Sequence, residues 1–164
     1  MNESKSATRQ SKIVMLVVAL AVFVADQVSK TMVAHRIADG TVVPVIPGFF
    51  NLTSTRNSGA VFGFFSDTTV WWKTPALVAL SIALLAGVVY LLSRVPNLAW
   101  PTRRGLALIL GGALSNLLDR VRWGQVEDFL DFYFRHYHWY TFNLADSAIV
   151  VGTGFVVLQI LRES

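Results

Sequence analysis

Residues 13–33, 75–92, 105–121 and 144–161 of this chain are four stretches with the length and apolar character of membrane crossings. A hydrocarbon core about 30 Å thick takes roughly 20 helical residues to cross, and inside it each backbone N–H and C=O must find its partner within the segment. A chain with four such stretches has one main way to hide them, as a helical bundle in a bilayer. The composition agrees: 54% of the 164 residues are hydrophobic and 15% are charged, where a soluble domain carries about a quarter charged residues.

The stretches are not alike. The second, PALVALSIALLAGVVYLL, has no charge, and Pro75 falls in its first turn, where a missing N–H costs nothing. The first is uninterrupted only to Ala25, so a full span takes in Asp26 and Gln27, and the third takes in Asn116, Asp119 and Arg120. Lys5, Arg9 and Lys12 before an apolar run also fit a cleaved signal peptide. The run continues through Val22, Phe23, Val24 and Ala25 without the polar break that follows a cleavage site, so an uncleaved helix is expected.

Orientation follows from Lys and Arg in the short connections. Three precede the first span, and Arg94, Arg103 and Arg104 link the second to the third, with Arg162 at the C-terminus. Both termini are expected in the cytoplasm. The net charge of +4 is explained by membrane insertion and calls for no nucleic acid. There is no cysteine, hence no disulfide, thiol nucleophile or thiolate metal site.

In this topology Asp26, Asn116, Asp119 and Arg120 come late in outward helices and Asp146 comes early in an inward one. All share the outer edge of the membrane. Charge inside a bilayer is costly, so carboxylates gathered at one level on three helices, with Asp128 just beyond, indicate a polar site rather than ordinary helix ends.

The two outer connections read as short strands broken by turns. One is TVVPVIPGFFNLTSTRNSGAVFGFF and the other VEDFLDFYFRHYHWYTFN, and together they predict a small β-structure resting outside the helices. Trp71, Trp72, Trp123, Trp139 and Tyr140 suit an aromatic belt at headgroup height. His136 and His138 stand two apart, on one face of any strand, but lack the partners of a metal site, and no metal or cofactor is expected. GxSxG is absent and Ser115 and Ser147 have no histidine at a predictable distance, which disfavours a serine hydrolase. Gly111 with Ser115, and Ala148 with Gly152, make small-xxx-small faces for close helix packing.

Two aspartates that share one proton can hydrolyse an amide without metal: one takes a proton from water while its protonated partner bonds the scissile carbonyl. Asp128 and Asp146 are separated by an aromatic segment long enough to fold back and join them. An ion-coupled transporter is the competing reading; it would spread charges through the bilayer depth, and the spans below Asp146 have none. A non-catalytic subunit is a third, in which both aspartates would be replaceable by Asn.

Five ordered blocks resemble the lipoprotein signal peptidase (signal peptidase II) family: DQVSK at 26–30, NSGAVFG at 57–63, GGALSNLLDR at 111–120, VEDF at 126–129 and FNLADS at 142–147. The resemblance covers essentially the whole chain. It implies one all-α membrane domain over residues 1–164, with four transmembrane helices and a small extracytoplasmic β-cradle, in a bacterial inner membrane. It implies an aspartyl endopeptidase, expected as a monomer among membrane lipids, that cuts diacylglyceryl-modified prolipoproteins just before the lipidated cysteine. By resemblance the catalytic pair is Asp128 and Asp146. Asp26, Asn57, Asn116, Asp119, Arg120 and Asn143 fall on supporting polar positions, with Lys30, Gly59 and Ala145 beside them in the same blocks. One residue departs: Ser115 stands where the family usually has Gly.

Overall fold

The computed structural model of the protein describes residues 2–59, 71–95 and 98–163. Helix α1 (Asn2–Arg36) leads into strands β1 (Val42–Ile46) and β2 (Phe50–Asn57), followed by helices α2 (Lys73–Arg94) and α3 (Trp100–Trp123). Strands β3 (Val126–Phe134) and β4 (Tyr137–His138) then precede helix α4 (Leu144–Glu163). Each apolar stretch lies inside one helix, and the strands fall in the two connections expected to hold them. Residues 60–65 of the first connection, with the end of the NSGAVFG block, lie outside the described residues.

Among the described residues three helices are long and apolar enough to cross a membrane: Lys12–Arg36 within α1, Lys73–Arg94 and Leu144–Glu163. Helix α3 is not among them. It has 24 residues, but Arg103, Arg104, Asn116, Asp119, Arg120 and Arg122 break its apolar character. Its position accounts for this, because α3 packs on α1, α2 and α4 and buries Ser115, Asn116 and Asp119 against them. Polar groups enclosed by partners need not face lipid.

Glycines set how closely the helices approach. A Cβ added at Gly105 would lie 2.5 Å from the carbonyl oxygen of Gly152, and one added at Gly112 would lie 2.5 Å from that of Ala145. Seven residues forward on α3 is seven back on α4, so the two helices run antiparallel in fixed register. Gly111 meets the backbone of Ala19 on α1 in the same way. Gly152 thus serves as a close-packing residue, and Ala145 rather than Ala148 is what a second α3 glycine meets. Helix α2 closes on α3 through a cluster of Val88, Leu106 and Ile109.

The strands form one antiparallel sheet in the order β1-β2-β3-β4, with Thr55 opposite Asp128 and Asn57 opposite Val126. The hairpin from β3 to β4 turns through Arg135, whose φ is 56°. His136 sits in that turn and only His138 in β4, so the two histidines do not share a strand face. His138 Nδ1 instead lies 2.8 Å from Asp131 Oδ1, and its ring stacks on Tyr133.

Candidate active site

Helix α4 begins with a reciprocal cap. Asn143 precedes its first residue and accepts the Asp146 N–H on Oδ1 at 2.9 Å, while Asp146 Oδ2 accepts the Asn143 N–H at 3.4 Å. The pattern is a capping box with Asn and Asp in the two roles. A second carboxylate helps: Asp26 Oδ1, from α1, accepts the Ala145 N–H at 2.9 Å. Asp146 is therefore held by the local geometry of a helix start, and so are its neighbours.

Asp128 comes from a different element. It lies on β3, almost completely buried, where Asn57 Nδ2 donates to Oδ2 at 2.9 Å and Asn143 Nδ2 donates to Oδ1 at 2.7 Å. Asn57 is in turn fixed by the Gly59 N–H, which donates to its Oδ1 at 2.8 Å. Arg120 Nη2 donates to the Gly59 carbonyl at 3.1 Å, tying that loop to α3.

Asn116 completes the link. Its Nδ2 donates to Asp146 Oδ1 at 2.8 Å, and its Oδ1 accepts from Lys30 Nζ at 2.9 Å and from Asn143 Nδ2 at 3.3 Å. Lys30 also meets Asp26 Oδ2 and Asp119 Oδ2, each at 2.6 Å. A buried ammonium between two carboxylates has its charge compensated and its three donors used, the condition under which buried ions are tolerated.

Both aspartates line one cavity of about 170 Å³, whose polar side is Asn57, Asn116, Arg120, Asp128 and Asp146 and whose apolar wall includes Leu77, Leu80 and Leu84 of α2. A larger cavity, about 430 Å³, lies on the other side of the ion network, against Gln27, Lys30, Arg56, Asp119, Trp123 and Glu127. Neither Asp128 nor Asp146 reaches it, so the smaller cavity is the candidate site. Among the described residues no group of three His, Asp or Glu is placed to hold a metal ion.

All eleven residues expected from sequence fall in this assembly. Two others were not anticipated in it. Gln27 Nε2 donates to Asp119 Oδ1 at 2.8 Å and to Ser115 Oγ at 2.9 Å, and Ser115 Oγ donates to Asp26 Oδ2 at 2.7 Å. Ser115 therefore bonds across to α1 instead of back along its own helix. The available signal was Gln27 itself, a polar side chain one position from Asp26 inside an apolar helix.

The carboxyl of Asp128 is pushed up to about 7. Burial is the larger cause and the nearby charge of Asp146 the next, while the amide donors Asn57 and Asn143 and the Lys30 charge act in the opposite sense. A carboxyl so placed keeps a proton near neutral pH.

Fold and site together define a helical membrane protein with a carboxylate-lined cavity where the bundle meets a small sheet. Known proteins of this kind are matched closely. The family profile described as signal peptidase (SPase) II matches residues 18–162, and the chain belongs to that family. A lipoprotein signal peptidase of Solibacter usitatus is 42% identical over 145 residues, 88% of each chain. One of Geobacter sulfurreducens is 38% identical, covering 89% of this chain and 90% of that one. A bacterial membrane enzyme solved by the in meso method at 2.3 Å resolution superposes with a TM-score of 0.81 at 31% identity, covering 92% of this chain and 88% of that one. Family and helices make the chain a bacterial multi-pass membrane protein and a peptidase.

Proposed function

We propose that the chain is an aspartyl endopeptidase that removes the signal peptide from diacylglyceryl-modified prolipoproteins, cutting just before the lipidated cysteine. Asn143 is the observation that carries this reading. It caps the helix that bears Asp146 and donates to Asp128, which joins two carboxylates from different elements at one cavity. The lipoprotein signal peptidases that resemble the chain supply the substrate class.

In the reaction Asp146 is the carboxylate and Asp128 the acid. Asp146 takes a proton from water as the water oxygen bonds to the carbonyl carbon, and Asp128 gives its proton to the carbonyl oxygen. The tetrahedral species then collapses: the C–N bond breaks, Asp146 protonates the cysteine nitrogen, and one hydroxyl returns its proton to Asp128. Water is consumed and the dyad ends as it began. No metal is needed.

The topology completes the reading. With α3 counted as a span the chain crosses four times, acts as a monomer, and keeps both termini in the cytoplasm beside Arg94, Arg103, Arg104 and Arg162. The carboxylates then stand at the outer face of the inner membrane. Acyl chains on the cysteine, each buried CH₂ contributing about 0.8 kcal/mol, hold the scissile bond at that height. Aligning it in advance raises the rate as well as the affinity.

The test is the purified chain in liposomes with a diacylglyceryl prolipoprotein and with its unmodified precursor at matched concentration. Cleavage of the first alone is expected, and it should vanish in Asp128→Asn and Asp146→Asn proteins that remain folded. Near-normal turnover by either variant would overturn the dyad; equal cleavage of both substrates would overturn the lipid requirement.

A further inference from the structure

We propose that Lys30 decides which of the two aspartates holds the shared proton, by fixing the side-chain amide of Asn116 in one of its two orientations. The proposal rests on the dyad assigned above and makes Lys30 a positioning residue.

Three side-chain amides donate to the dyad, and each has its oxygen occupied from behind. Asn57 Oδ1 accepts the Gly59 N–H at 2.8 Å and Asn143 Oδ1 accepts the Asp146 N–H at 2.9 Å. Backbone N–H groups can only donate, so those two amides are set by the fold. Asn116 differs, because the nearest group to its Oδ1, at 2.9 Å, is the ammonium of Lys30; Asn143 Nδ2 lies farther, at 3.3 Å, and makes its shorter bond to Asp128 at 2.7 Å. An ammonium has no lone pair, so only the oxygen of the amide can face it. The nitrogen must then point at Asp146 Oδ1, 2.8 Å away.

That orientation has a chemical consequence. An N–H aimed at Asp146 suits a carboxylate there; Asn57 and Asn143 donate to Asp128 in either case, so the Asn116 amide is the element whose direction shifts the proton toward Asp128. Were the amide reversed, its oxygen would stand against Asp146, and the pair could remain bonded only if Asp146 supplied a proton. The donors from Asn57 and Asn143 suit Asp128 as the charged partner in that case, so the acid and base would exchange places.

Lys30 is itself held in place. Asp26 Oδ2 and Asp119 Oδ2 each lie 2.6 Å from its nitrogen, and Asp26 is anchored by Ser115 Oγ and the Ala145 N–H. Among the described residues the groups that face the dyad are Lys30 and Asp26 from α1, Asn57 from β2, and Asn116, Asp119 and Arg120 from α3. Asn143 precedes α4, β3 adds the Glu127 carbonyl behind Asn143, and α2 lines the cavity with Ser81 and apolar side chains. Arg120 bonds the Gly59 and Asn116 carbonyls, contacts that do not depend on how the Asn116 amide is turned. Lys30 is the one charged donor to the amide that bonds Asp146; the other contact, from Asn143 Nδ2, is longer at 3.3 Å.

The absence of cysteine in this chain gives a clean test. Lys30→Cys introduces a single thiol, and Lys30 lines the cavity of about 430 Å³, through which small reagents approach. Alkylation with 2-bromoethylamine rebuilds a side chain of lysine length that ends in an ammonium. Bromoethane builds the same stem without the charge. For each protein kcat and KM on a lipidated prolipoprotein are measured against pH, with thermal unfolding as a folding check.

The unmodified and ethylated Lys30→Cys proteins are expected to lose about 100-fold or more in kcat, the usual contribution of a placed acid or base, with KM little changed. Their residual rate should no longer fall as pH passes through about 7, the range set by Asp128 in the parent. Aminoethylation should restore both kcat and the profile. A lowered kcat with the parental pH profile would reduce Lys30 to a structural role, and equal rescue by bromoethane would overturn the proposal. If the single variant does not fold, Lys30→Met with Asp119→Asn removes one of the charges the ammonium balances, and it faces the pH criterion: a parental profile in that variant overturns the proposal. Asp146→Asn separates the claims: turnover by that variant defeats the dyad, whereas its inactivity beside a parental profile in the Lys30 variants defeats only the role of Lys30.

Discussion

The contact between α3 and α4 is made differently at its two ends. Near Gly105 and Gly152 the helices touch backbone to backbone, and near Asn116 and Asp146 they are joined by a side-chain hydrogen bond. The first end makes the second possible. An Asn side chain is short, and it reaches a carboxylate on the facing helix only because the glycines bring the two axes close. In a bilayer, where apolar side chains gain little by leaving lipid, close packing is the main device for holding polar groups at bonding distance.

The hardest break to that arrangement is Gly112→Val, since Gly112 lies between the two ends and its Cβ would lie 2.5 Å from the Ala145 carbonyl oxygen. Neither backbone can give way cheaply. Loss of cleavage is expected, with stability lowered by about 1–3 kcal/mol as in other overpacked cores, measured by thermal unfolding in detergent. Gly154→Ala on the same helix has nothing within 4 Å of the new methyl and should change neither.

Asn143→Ala attacks the polar end alone. It removes the α4 cap, for which about 1 kcal/mol of stability is expected to be lost, and it takes from Asp128 its donor at 2.7 Å, while Asp146 keeps Asn116 and the backbone N–H of residue 143. Cleavage should fall by about 100-fold or more. A variant with the stability loss but full activity would show that Asn143 is only a cap.

Acidity separates the ends more gently. With its carboxyl pushed up from 3.8 to about 7, Asp128 binds its proton more tightly folded than unfolded. Its contribution to stability is therefore fully present below pH 3.8 and is lost as pH rises through about 7. The cleavage rate should fall over the same upper range as the acid is lost. Asp128→Asn should flatten that part of the stability profile, and Gly105→Ala should leave its shape unchanged.

The smallest effect is expected at Ser115→Gly, which restores the residue the family usually has. Asp26 keeps Lys30 and the Ala145 N–H, so a change within about 1 kcal/mol, the value of one hydrogen bond, and near-normal turnover should be found. A large loss of activity would show that this chain has come to depend on its own hydroxyl.

Much of this was legible beforehand because membrane crossing is a local constraint. Length and apolar character placed all four helices, and the alternation of helix direction predicts that Asp26, Asn116, Asp119 and Asp146 lie near one another, as their contacts through Lys30 and Asn116 have it. The third helix was harder to judge, since its polar residues are tolerated only through enclosure by three neighbours. A strand pattern puts His136 and His138 on one face, and the structure separates them because the pattern does not reveal where the hairpin turns. The role of Gln27 is not readable from its neighbours, because its partners, Ser115 and Asp119, lie 88 and 92 residues away.

What the sequence determined by itself is whatever depends on neighbours along the chain: the helices and the strand that bears Asp128. Tertiary structure alone decided which polar atoms meet. The amide of Asn116 could point either way on an isolated helix, and it acquires a direction from donors elsewhere in the chain, the nearest being Lys30 of α1 at 2.9 Å. A hydrogen-bond direction is set by the partner, and here the partner is 86 residues distant.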